Sequence, residues 1–380
     1  MKSIKNRNSI FIKNNTSKKN KFLKNLLNNF NKPQTLNNFT NINKTLKKSF
    51  SPRINKYLVS FTKKKASKFL LCNNNLLKIN ISKTKKSNCL NYNNKKVKKF
   101  LLNNLKSSKN INCSDIIPPK QILSNCWFNT FFVTFFISDK GRKFFKYFRQ
   151  LMIEGKLING KKLSTNLARA FFMLNIAIEA STNNLLNNVA YKLNTNLLIE
   201  KIYKAINNKN FHNTNIRKKG QAGNPLDYYL TIFNYLNAQE IFSIPITLFT
   251  SADSVTIENY IISQNIKIKP DIIILEIYDG SNGTAGPAGK INNKQNLLNI
   301  FNTKYSLDAA IVRDIEGNHF CSLLTCNKKE YCFDGASFNR LSPMNWKQLI
   351  NSSKIWQFQG HNLKWNFKNS YQLLFYYRTN

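Results

Sequence analysis

Five phenylalanines within nine residues set the first constraint on this chain. Phe128, Phe131, Phe132, Phe135 and Phe136 fall at i, i+3, i+4, i+7 and i+8, one face of an α-helix. A face of that size must be covered, so the surrounding chain has to build a core. The run opens on Cys126, followed at once by Trp127. A structural cysteine could sit anywhere in such a run. A nucleophile belongs at its start, because the free N–H groups and partial positive charge of a helix N-terminus favour a thiolate. Cys126 is therefore a candidate nucleophile, set against the simpler reading of one more core residue.

Charge divides the 380 residues into two kinds of polypeptide. Residues 1–115 hold 28 basic residues and one acid, Asp115, so they carry +27 of the net +42. Residues 116–380 hold 31 basic and 16 acidic residues. The first segment is rich in Asn, Lys and Ser and has no glycine, and no apolar period persists in it for long. It is predicted to be a disordered basic arm, 1–115. Such an arm fits contact with a polyanion, either nucleic acid or anionic membrane. It equally fits a cleaved presequence or an AT-rich coding bias. No apolar stretch reaches the ~18 residues of a membrane span, so no transmembrane segment is expected. The start lacks the apolar run of a secretory signal. Seven cysteines, an odd number without a C-x-x-C, argue against a disulfide framework and for a reducing compartment. The expected location is intracellular, cytoplasmic or nuclear, or a host cell or virion if the source is viral.

After Pro118 and Pro119 the pattern becomes helical. Ser138 can cap "DKGRKFFKYFRQLMIE", which Gly155 would end, and two further helical stretches follow up to residue 206. In "GNPLDYYLTIFNYL", Asn224 fits the N-cap and Pro225 the first turn, with Leu226, Tyr229, Leu230 and Phe233 as the apolar stripe. From about Ile241 the chain reads as strands, among them the β-branched run "DIIILEIY". Helices first and antiparallel strands after predict an α+β domain, 116–380. The Gly-rich "DGSNGTAGPAGK" lacks the Ser or Thr of a phosphate loop and reads as a mobile surface connection.

Only three histidines are present: His212, His319 and His361. "HFCSLLTCNKKEYCFDG" reads as strand, turn, strand, with His319 opening the first strand and Asp334 closing the second. A hairpin brings the two together, where an imidazole can take a thiol proton and a carboxylate can orient it. The simpler readings are a strand-end histidine and a turn aspartate. His212 and His361 lie in loop-like settings with no carboxylate following and read as solvated. Cys321, Cys326 and Cys332 read as packing residues.

Five boxes, in order over about residues 120–378, resemble the ubiquitin-specific proteases, a branch of the papain-like superfamily. They are "CWFN", "GNPLDYYLTIFNYL", "KPDIIILEI", "YSLDAAIVRDIEGNHFCSLLTCNKKEYCFDGAS" and "NSYQLLFYYR". The resemblance implies a papain-like cysteine protease fold with a helical N-terminal lobe followed by the sheet. It implies a Cys-His-Asp triad of Cys126, His319 and Asp334, and aligns Gln121 with the family's oxyanion-hole Asn. The implied reaction is hydrolysis at the C-terminus of ubiquitin or a ubiquitin-like protein, with such conjugates as partners and no cofactor. The chain departs from the family at Leu123-Ser124-Asn125 and at Asn318. The interval from Asp227 to Asp271 is only about forty residues without C-x-x-C, so the family's zinc-binding finger is missing and no metal is expected. Two alternatives stand beside this reading: a protease for another polypeptide, such as a viral or organellar precursor, and a catalytically weak nucleic-acid- or surface-binding protein.

Overall fold

The computed structural model describes residues 66–379 apart from 74, 82–88, 108–110, 158–159, 184–186, 207–216, 237–242, 249–250, 267–268, 278–290 and 318. Most of the predicted arm (1–65), His212, the Gly-rich connection, Asn318 and the side chain of Phe233 lie outside these residues. In chain order the described helices are α1 (Lys95–Lys106), α2 (Cys126–Phe136), α3 (Asp139–Phe144), α4 (Lys146–Glu154), α5 (Thr165–Thr182), α6 (Asn187–Tyr191), α7 (Thr195–Ile206), α8 (Pro225–Leu236) and α9 (Ser254–Ser263). None is long and apolar enough to cross a membrane.

The phenylalanine helix is α2, and all eleven of its residues are buried rather than one face. It sits in the seam between α7 and α8 on one side and strands of the main sheet on the other. Phe135 shows why a single face would not suffice. It stacks on Tyr229 of α8 (4.6 Å between centroids) and meets Phe375 of the sheet edge-on (5.2 Å). Ser138 does cap the next helix, its Oγ accepting from Gly141 N (3.1 Å), and Gly155 ends α4 at a φ of 66°. The predicted single helix nonetheless breaks at Phe145 into α3 and α4.

The strands of the main sheet are β4 (Ser243–Leu248), β5 (Ile272–Ile277), β6 (Leu297–Ile300), β7 (Thr303–Arg313), β8 (Phe320–Cys326), β9 (Lys329–Phe333), β10 (Ser342–Pro343) and β11 (Gln372–Arg378). Their order is β10-β9-β8-β7-β11-β5-β4, with β6 on β7. The expected antiparallel sheet is instead mixed. β4 runs parallel to β5, and α9 lies between the two in the chain, as a parallel pair requires a crossover. Pro245 cannot donate to a ladder, which fits the edge position of β4. Both faces of the sheet are covered. Along β11, Leu373, Phe375 and Tyr377 enter the core shared with α2, while Leu374 and Tyr376 enter a second core with Trp346, Trp365 and α9.

Two sequence expectations need correction. The predicted disorder does not hold for the described residues between 66 and 115. β1 (Leu70–Cys72), β2 (Asn75–Asn80) and β3 (Cys89–Asn91) form an antiparallel sheet, and α1 follows it. Val97, Leu101 and Leu105 make an i, i+4, i+8 stripe on α1 that packs with Phe69 and Ile79 against Ile153, Phe172 and Ile176. Asn94 caps α1 by accepting from Lys96 N (2.8 Å). The segment folds because its few apolar residues find a face elsewhere in the chain, which local composition does not report. Nor are the cysteines all reduced. Cys72 pairs with Cys89, and Cys113 with Cys326, each with Cα atoms 6.0 Å apart. Cys126, Cys321 and Cys332 are free.

Candidate active site

Cys126 is the first residue of α2. Its neighbour Asn125, at the N-cap, makes no capping bond with its side chain. That side chain is occupied elsewhere: Oδ1 accepts from Ile122 N (2.9 Å) and Nδ2 donates to Thr195 Oγ (2.8 Å). The Cys126 and Trp127 N–H groups therefore have no capping side chain from Asn125, while Phe128 N donates to Asn125 O (3.1 Å). Thr195 in turn donates to Asn129 Oδ1 (2.7 Å), and Asn129 Nδ2 donates to Lys120 O (3.2 Å). Asn196 Nδ2 holds Ile122 O (2.7 Å). All four side chains belong to buried residues, so this network fixes the loop before Cys126 rigidly. Sequence reading found Asn129 only as part of a box. Its signal was present: Asn125 and Asn129 are polar residues one helical turn apart where the chain turns otherwise apolar.

Trp127 anchors the other side. Its Nε1 donates to Gln221 O (3.1 Å), and its ring meets Tyr228 of α8 at 4.7 Å. The box led by Cys126 and the box led by Asn224 thus pack directly on each other. Asn224 Oδ1 accepts from Leu226 N (2.8 Å), the N-cap its sequence suggested.

His319 and Asp334 reach the same point from the β8–β9 hairpin. Ser322 pairs with Phe333; continuing that register puts Asp334 opposite Cys321, on the diagonal from His319. Asp314 secures the turn before β8, its Oδ1 accepting from His319 N (2.6 Å). His319 Nε2 lies 2.5 Å from Asp334 Oδ1, and the ring interacts electrostatically with the Cys126 side chain. An ionised carboxylate can only accept, so Nε2 carries the proton and Nδ1 is the nitrogen left for the sulfur. Burial alone would lower the His319 pKa. The hydrogen bonds to Asp334 and Cys126, with their charges, outweigh it and raise it to about 10. Burial would likewise raise the Asp334 pKa, but the bonds and charge of His319, with His361 and Ala336 N–H, hold it down to about 2.

His361 is not solvated, contrary to its loop-like setting in the sequence. Its Nε2 lies 2.7 Å from Asp334 Oδ2 and 2.9 Å from Ser337 Oγ. The contact is made over 27 residues, which no local pattern could disclose. His319, Asp334 and His361 have ligand-type atoms within 4.8 Å of one another, the donor set of a divalent metal. With Asp334 ionised and able only to accept, each Nε2 serves as a donor to it in the metal-free arrangement. The two free cysteines of the sheet play no part as nucleophiles. Burial pushes Cys332 up to about 12 and holds Cys321 well above the ordinary thiol value.

Gln121 sits half-buried beside this cluster. Its backbone N donates to Gly335 O (2.9 Å), and its Nε2 is directed at Leu123 O (3.4 Å), leaving a second amide N–H. Gly335 permits the approach: a Cβ there would lie 3.0 Å from Gln121 N and 3.3 Å from Asn129 Nδ2. If Gln121 donates to a developing oxyanion, Gln121→Ala is expected to lower kcat by about 10²-fold with little change in KM. Steady-state kinetics separate the two constants, and a purely KM effect would assign Gln121 to ground-state binding.

The arrangement supplies a thiol at a helix start, a base within reach of it and a buried anion behind the base. No protein-family model matches the sequence, and no curated protein matches it. Among solved structures, the chain is similar to one in the SAGA Ubp8/Sgf11/Sus1/Sgf73 DUB module bound to ubiquitin aldehyde. There it shares 10% identity at a TM-score of 0.43, over 82% of this chain and 81% of that one. A form of that module bound to monoubiquitin gives 10% identity and a TM-score of 0.44, over 72% and 71% of the two chains. A yeast SAGA structure gives 11% and 0.34, over 82% and 80%.

Proposed function

We propose that this chain is a cysteine hydrolase that cleaves the bond at the C-terminus of ubiquitin or a ubiquitin-like protein. The observation that carries the chemistry is His319, hydrogen-bonded to buried Asp334 and interacting with Cys126 at the start of α2. The choice of substrate follows the five boxes of sequence that resemble the ubiquitin-specific proteases. His319 Nδ1 takes the thiol proton, and the Cys126 sulfur attacks the carbonyl carbon that ends the tail. The oxyanion faces the Cys126 N–H at the start of α2 and the Gln121 amide. The imidazolium returns its proton to the leaving amine, which leaves a thioester on Cys126. Water, deprotonated by His319, then attacks the thioester and releases the tail as a carboxylic acid.

The rim beside Cys126 suits an extended tail. Ile122 and Leu123 are exposed apolar side chains, and Leu123 adopts a left-handed φ of 58°, a strained conformation of the kind concentrated at functional sites. Without a finger between Asp227 and Asp271, the grip rests on the tail more than on the substrate's globular body. Reaction with a panel of ubiquitin-like proteins bearing C-terminal electrophiles tests the reading. At least one member should attach to Cys126, identified by peptide mass. Failure of every member to label Cys126 would overturn the proposal.

A further inference from the structure

We propose that His361 is a positioning residue for the reaction, holding the second oxygen of Asp334 so that the first stays on His319. The inference rests on the hydrolase reading above and adds a fourth side chain to it. Asp334 is fully buried, and a buried carboxylate needs donors on both oxygens. Oδ1 accepts from His319 Nε2 (2.5 Å) and from Ala336 N (3.2 Å). Among the described residues, His361 Nε2 is the donor to Oδ2. Without it Oδ2 would be stranded, and rotation of the carboxylate toward other donors would release the His319 ring from its aim at Cys126.

His361 is itself held on every side. Leu363 N donates to its Nδ1 (3.3 Å), which fixes the proton on Nε2, where the carboxylate requires it. Gln357 Nε2 donates to His361 O (3.0 Å), and Trp356 and Trp365 bridge the two arms of the loop. The Trp365 ring lies against both histidines, 5.5 Å from His361 and 6.1 Å from His319. The other titratable groups that interact with Asp334 are His319 and the thiols of Cys321 and Cys332, both kept neutral by burial. His361 therefore acts on Asp334 through a short, directional bond.

The full-length chain has three histidines, so replacing His361 and His212 in turn assigns all three imidazole NMR resonances. His361→Ala should lower the His319 titration midpoint by about one unit. It should also lower kcat about tenfold, the worth of one hydrogen bond to a charged group, with KM unchanged. His361→Gln, whose amide N–H reaches where Nε2 stood, should restore most of both. If the alanine variant does not fold, the glutamine variant decides: a midpoint near that of the wild type supports the role. An unchanged His319 midpoint in His361→Ala, or a glutamine variant no better than alanine, overturns it. Should no ubiquitin-like substrate be turned over at all, the substrate reading fails while the His319 titration still decides on His361.

Discussion

Cys126→Ala and His319→Ala are each expected to lower kcat about 10⁶-fold, and the double variant no further, since groups that act as one unit are grossly non-additive. The reason lies in their geometry. A thiol without a base is a weak nucleophile, and an imidazole without the sulfur has nothing to activate. In the proposed reaction the proton passes between Cys126 and a nitrogen whose opposite ring atom is fixed on Asp334. Removing either member therefore removes the whole transfer. Turnover of a fluorogenic ubiquitin-like substrate by the two single variants and the double gives the test, with circular dichroism to establish that each is folded. Losses that multiply in the double variant would mean that the two residues act separately. Turnover by Cys126→Ala at the wild-type rate would sink the enzyme assignment.

Asp334→Asn should lose about 10⁴-fold in kcat/KM, less than His319→Ala. An amide offers one acceptor and one donor where the carboxylate accepts on both sides. With its oxygen toward His319, its NH₂ confronts the Nε2–H of His361, which can yield only by giving up its bond from Leu363 N. Turned over, the NH₂ confronts His319 instead, and the proton must move to Nδ1, where it blocks the sulfur. The pH dependence carries the same information. Wild-type activity should fall at the alkaline end as His319 loses its proton near its pKa of about 10, and Asp334→Asn should move that limb to lower pH. Stability follows with opposite signs at the two ends. The raised His319 pKa contributes stability fully present below 6.5 and lost as pH rises through about 10. The depressed Asp334 pKa contributes stability present above 3.8 and lost as pH falls through about 2. Both are in force between 3.8 and 6.5. A pH–rate profile of both proteins would settle the kinetic half, and a loss equal to that of His319→Ala would mean that Asp334 has another role.

What could be read in advance was whatever the local chain declares. The phenylalanine spacing declared α2, Asn224-Pro225 the start of α8, and the β-branched run the strand β5. The structure brings His319 and Asp334 together because a hairpin's register is itself local. Whatever depended on a distant partner stayed hidden. Val97, Leu101 and Leu105 carry a short stripe in a Lys- and Asn-rich setting, and only Ile153, Phe172 and Ile176 make it worth folding. His361 looked solvated because its carboxylate precedes it by 27 residues, outside any window that motif reading covers. The parallel pairing of β4 was hidden for the same reason. A strand's own sequence reports how much of it is buried, not the direction of its neighbour.

The bond between Cys113 and Cys326 has a topological consequence. It closes a ring of 213 residues of separation that contains both Cys126 and His319, while Asp334 and His361 lie on the tail that leaves it. A single cut of the backbone anywhere inside that ring opens it without dividing the molecule. The thiol and its base would stay tethered, and only a reductant would let the fragments part.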